Sequence, residues 1–185
     1  PRDDYRIASL NCGGEDFAIA CMRSNLRYGK NQKREDVKSH HYIISFDPRD
    51  AADNGLSVDR AQQLGEQFCK EHFPGHQALV CTHPDGHNHS GNIHVHIVIN
   101  SLRIAEVPLL PYMERPADTR EGCKHRCTDA AMEYFKAEVM EMCHRENLYQ
   151  IDLLNGSKNR ITEREYWAKR KGQAALDKEN ASLAA

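Results

Sequence analysis

No stretch of this chain stays apolar for the ~20 residues that a membrane-spanning helix needs, and no secretory leader is visible. A helical membrane protein is therefore not expected. Positive charge is not in excess either. The 25 Lys and Arg stand against 27 Asp and Glu, for a formal net charge of −2, which argues against a surface coated to grip duplex DNA. Seven cysteines are an odd number without framework spacing, so a reducing, cytoplasmic setting is expected rather than a disulfide scaffold. No glycine motif cradles a phosphate, DPRD and ADNG lack the acidic ladder of a calcium loop, and Ser45 and Ser101 lack a nucleophile-elbow context. These absences remove nucleotide-loop enzymes, calcium sensors and serine hydrolases from the field.

What is present is enough for one core. At 185 residues, 39% of them apolar, the chain makes one domain with room for a helical appendage. The spacing of Phe17, Ala20, Cys21, Ser24 and Tyr28 predicts a helix over 15–28, and a strand follows at His40–Phe46. Ser57 caps a helix running to about His72 with Ala61, Leu64, Gly65, Phe68 and His72 on its buried side; Pro74-Gly75 ends it. Strands at 77–83 and 92–103 come next, then a long Pro-bearing loop over 106–127. Thr128 caps a helix to about Asn147, and Thr162 with Glu165 forms a capping box for a charged last helix. The reading is α+β: a central antiparallel sheet with helices mainly on one face over residues 1–155, plus a C-terminal helical extension at 156–185.

The chemistry concentrates in QALVCTHPDGHNHSGNIHVHIVINS, where His83, His87, His89, His94 and His96 fall within fourteen residues. The frame NIHVHIVIN alternates and is rich in β-branched residues, so it reads as a strand. Alternation puts His94 and His96 on one face, about 6–7 Å apart at the backbone, and sends Ile93, Val95, Ile97 and Ile99 to the other. Two imidazoles on so rigid a platform can converge on one divalent ion. The turn-forming PDGHNHSGN would bring His83 back beside them as a third ligand; His87 and His89 are its rivals on the loop. Within His40–Phe46, alternation groups His41 with Ile43 and Ser45. His41 is therefore either a satisfied buried histidine or, if its strand adjoins the histidine strand, a residue that reaches the site.

The elements THPD and NIHVHIVINS resemble the third motif of the mobilisation relaxases of the type called MOBP, within the HUH endonuclease superfamily; HHYIISFDP and the segment Leu10–Tyr28 extend the likeness over about residues 10–155. Carried onto this chain, the resemblance implies His83, His94 and His96 as metal ligands and Asp85 and Asn100 as supporting residues. The ion implied is manganese or magnesium, while the imidazole set also suits zinc, nickel or cobalt. The implied activity is nicking of one DNA strand at a transfer origin in a bacterium. A tyrosine oxygen becomes joined to the 5′ phosphate and a 3′ hydroxyl is released. The implied partners are single-stranded and hairpin origin DNA and other transfer-complex proteins. The loop after the first histidine is longer here than in the family.

The family's tyrosine lies upstream of the part that Leu10–Asn11–Cys12 resembles. Because the chain begins at Pro1 rather than Met, that nucleophile is expected to precede Pro1, with Tyr5 and Tyr28 the candidates inside the chain. Arg23, Arg27, Lys30, Lys33 and Arg34 form a basic segment suited to phosphates, as do Arg160, Arg164, Lys169, Arg170 and Lys171. CKHRC, with Cys123, His125 and Cys127, lacks the spacing of a zinc knuckle and reads as unligated thiols. Two further readings stand beside the relaxase: an HUH replication initiator, and an origin-binding module that does not cleave.

Overall fold

A computed structural model of the chain describes residues 4–84, 91–155, 168, 171–173 and 175. It separates into two compact units, Pro1–Leu154 and Asn155–Ala185. The expected last helix, with its Thr162–Glu165 capping box, lies almost wholly outside the described residues, of which 168, 171–173 and 175 are helical.

The first unit runs β1 (Arg6–Leu10), α1 (Phe17–Arg27), β2 (Ser39–Ser45), α2 (Asp50–Asp53), α3 (Val58–His72), β3 (His76–His83), β4 (His94–Arg103) and α4 (Asp129–Arg145). The strands form one antiparallel sheet in the order β1-β3-β4-β2. The α+β architecture is as expected, with one addition. β1 has only five residues, RIASL, at the sheet edge with Ile7 exposed; so short a run shows little periodicity and is stabilised mainly by pairing with β3.

Local chemistry sets the helix ends. Asp16 accepts from the backbone N–H of Ala18 and Ile19, Ser57 Oγ from Arg60 N–H, and Thr128 Oγ1 from Ala131 N–H, each meeting a donor that the first turn leaves open. α3 and α4 cover one face of the sheet, where Leu64, Phe68, Ala131, Phe135 and Met142 pack with Val80, Val95, Ile97 and Ile99 in a single core. Each such aliphatic side chain contributes about 1.5–3 kcal/mol by leaving water. The approach of α3 depends on Gly65, because a Cβ there would collide with Val95 Cγ1. Residues 104–127 are irregular apart from a 3-10 turn at Pro116–Thr119, yet they send Tyr112, Met113 and His125 into the interior. Among the described residues no helix is long and apolar enough to cross a membrane.

Candidate metal centre

With one sheet face buried under α3 and α4, period-two alternation assigns the other. In β4 that face carries His94, His96, Val98 and Asn100. Register carries it sideways: His94 opposes His83 of β3 and Ser45 of β2, while His96 opposes Cys81 and Ile43. Ile7 of β1 continues the row beyond Cys81. Tyr5, Ile7, His41 and Ile43 are exposed on this face, so the end of the sheet that bears the histidines is accessible to a large ligand.

Three imidazoles meet there. The ring centroids of His83 and His94 are 5.3 Å apart, His83 and His96 5.2 Å, and His94 and His96 4.9 Å. Rings that share one ion through nitrogens at about 2.0–2.1 Å have centroids about 5 Å apart, so the spacing fits a common ion. The aim of the nitrogens is less advanced. Among the described residues no three His, Cys, Asp or Glu side chains converge tightly enough to hold an ion as they stand.

Each of the three rings has a polar neighbour. His96 Nδ1 lies 2.8 Å from Nε2 of His41, and the two rings stack with centroids 5.0 Å apart. His94 Nδ1 is 3.3 Å from the carbonyl of Asn92, whose amide donates to Ser45 Oγ at 2.5 Å. His83 Nε2 stands 3.4 Å from the Cys81 thiol. Burial, and after it the neighbouring His94, His41 and His83, push His96 down to about 4. Near neutral pH it is therefore uncharged, the form in which an imidazole offers a lone pair.

The other expected residues are distributed differently. Asp85, His87 and His89 lie outside the described residues. Asn100 shares the face of His96 but sits four residues along β4, about 13 Å away by strand rise. Its amide donates to Gln77 Oε1 and its Oδ1 accepts from Leu102 N–H, so it acts as a buried structural link and is not brought to the imidazoles. Arg23, Arg27, Lys30, Lys33 and Arg34 are all exposed, on α1 and the loop after it. Arg23 pairs with Glu15 and Arg27 lies over the Tyr28 ring. Nearby Asn31 donates to Ser101 Oγ, which ties this basic segment to the far end of β4, about 17 Å of strand from His96.

Of the two tyrosines singled out from sequence, Tyr28 donates to Glu121, which raises its pKa. Tyr5 is 48% exposed and sets its ring 6.5 Å from His83. That contact was invisible to periodicity because it depends on β1 pairing with β3. Cys81 was legible in principle, since it stands two residues before His83 on the same strand. CKHRC comes apart: Cys127 is exposed and Cys123 half-buried, while His125 is buried and bonded to the Tyr42 hydroxyl at 2.8 Å.

The sequence matches the family model described as Relaxase: MobA/VirD2-like, nuclease domain, over residues 2–107. It is also similar to a curated protein, Protein rlx of Staphylococcus aureus, at 28% identity over 169 residues, covering 91% of this chain and 42% of that protein. The chain thus spans less than half the length of the curated relative it matches.

Proposed function

This chain belongs to the relaxase family of MobA/VirD2-like nuclease domains, and from that premise we propose that it nicks one DNA strand at a transfer origin by metal-assisted tyrosine transesterification. The observation that carries the reading is the meeting of His83, His94 and His96, with centroids 4.9–5.3 Å apart, at the accessible end of the sheet. A divalent ion held by those three neutral imidazoles would keep its full charge for the non-bridging oxygens of a phosphodiester and steady it for in-line attack.

The protein's own groups supply the rest. β3 and β4 hold the histidines on a rigid platform, so little is reorganised when the phosphate arrives. Tyr5, Ile7 and Ile43 present exposed aromatic and apolar surface around the imidazoles, suited to unstacked bases of a single strand. The basic segment from Arg23 to Arg34 continues the path toward the far end of β4 and would neutralise backbone phosphates. In the chemical step a tyrosine oxygen forms a bond to phosphorus, the bond from phosphorus to the 3′ oxygen breaks, and that oxygen leaves as a hydroxyl after taking up a proton.

The test is a nicking assay on a supercoiled plasmid bearing the transfer origin, run with Mn2+, alongside Mn2+ binding to the protein alone. His94→Ala with His96→Ala is expected to reduce Mn2+ affinity by at least about 100-fold and to abolish nicking. Unchanged affinity in the double variant would refute the metal centre. Trapping of a covalent adduct between the chain and an origin oligonucleotide assigns the nucleophile. Loss of the adduct in Tyr5→Phe would place it at Tyr5. No adduct from the intact chain would refute nicking by this chain.

A further inference from the structure

We propose that His41 is a positioning residue for the metal centre, an imidazole that holds His96 with Nδ1 protonated and Nε2 bare. The inference rests on the metal reading above and names a residue that the ligand set does not include.

The argument begins with register. On the edge strand β2, Ile43 lies directly opposite His96 and His41 opposite Val98. His41 therefore reaches His96 along the diagonal of the sheet, a distance that long side chains span readily. It does so with good geometry: Nε2 of His41 is 2.8 Å from Nδ1 of His96, and the rings are inclined by 24°. Such a bond contains one proton, so it has two polarities. If His41 donates, His96 must carry its own proton on Nε2, the nitrogen left for His83 and His94, and cannot bind an ion there. If His96 donates from Nδ1, its Nε2 keeps a lone pair and His41 holds its proton on Nδ1. Only the second polarity is compatible with a shared ion.

A histidine that binds a metal ordinarily gives its second N–H to a carboxylate, a backbone carbonyl or water. Here the acceptor is another imidazole, fixed by the β2–β4 pairing and exposed to solvent. Because the contact holds the ring as well as the proton, it also removes much of the rotation that His96 would otherwise lose on binding.

The experiment uses the intact chain with Mn2+ as the probe. Titration of wild type, His41→Ala and His41→Gln is expected to show about 10- to 100-fold weaker binding for His41→Ala. His41→Gln, whose amide oxygen can accept the same bond, should stay within about fivefold of wild type on the same argument. A metal-free reading comes from two-bond proton–nitrogen NMR correlations at pH 7.5. Wild type should show His96 protonated at Nδ1, and His41→Ala a mixture of both tautomers. Equal affinity of wild type and His41→Ala, or a wild-type His96 protonated at Nε2, overturns the role of His41 while leaving the metal centre standing. A wild-type chain that takes up no Mn2+ overturns the metal centre and this inference together.

Discussion

Two groups of histidines in this fold meet opposite fates. His41, His83, His94 and His96 stand on the accessible face of the sheet, with ring nitrogens turned toward one another or toward short polar partners. His72, His76 and His125 are buried on the far side among Phe68, Phe73, Tyr112, Tyr134 and Phe135. His40 packs edge-on against His125 at 4.9 Å. In the interior group the imidazole serves as a small aromatic with one hydrogen bond, as His76 makes to the Asn100 carbonyl and His125 makes with Tyr42. In the outer group the rings of His83, His94 and His96 stand 4.9–5.3 Å from one another. The lesson is that histidine clustering marks a chemical site only where the rings face each other and remain within reach of solvent.

The largest contrast should appear on truncation. His125→Ala removes a buried ring and strands the Tyr42 hydroxyl, and is expected to lower folding stability by about 2–4 kcal/mol with Mn2+ affinity unchanged. The double variant at His94 and His96 should do the reverse, changing stability by under about 1 kcal/mol while losing the ion. Chemical denaturation and metal titration on the same samples give both quantities. A His125→Ala protein that keeps its stability would break the division.

Acid should separate the groups next. Burial, then His40 and Arg103, push His125 down to about 3, and His76 is lowered well below its usual range, mainly by burial and then by Arg103. Their folded values lie below the unfolded value of 6.5, so the unfolded chain takes up protons that the folded chain refuses. Stability is therefore full above pH 6.5 and falls as pH drops toward the folded values. At pH 5.5 His125 should remove roughly 1 kcal/mol relative to pH 7.5, with His76 acting in the same direction. Urea midpoints at the two pH values check this, and His125→Gln should soften the decline by about one histidine's share. An equally steep decline in that variant would remove His125 from the account.

The smallest effect is expected where neither group is touched. Arg27→Ala should leave stability and metal binding unchanged and lower the slope of log affinity for single-stranded DNA against log salt by about 0.7. An unchanged slope would take Arg27 off the DNA path.

Much of this was legible in the chain. Alternation in NIHVHIVIN placed His94 and His96 together and Val95, Ile97 and Ile99 in the core, because both faces of that strand have a clear chemical preference. The caps at Ser57 and Thr128 and the stripe through Ala61, Leu64, Gly65 and Phe68 were equally readable, being local. β1 was not, since five edge residues carry little pattern. Asn100 entered as a companion of the site through the family resemblance, but distance along the strand and its bonds to Gln77 and Leu102 commit it elsewhere. CKHRC read as unligated thiols, and only the packing of His125 against Tyr42 and Phe73 shows that residue to be interior.

By itself, then, the sequence determined which residues share a face of each element, through periods of two and 3.6 and through capping side chains that act within a few residues. Strand order and register were decided only in the tertiary structure. They put His41 within bonding reach of His96 and Tyr5 against His83. Each of those meetings joins segments of chain that no local rule connects. A shift of one residue in any pairing would turn the same side chains to the opposite face.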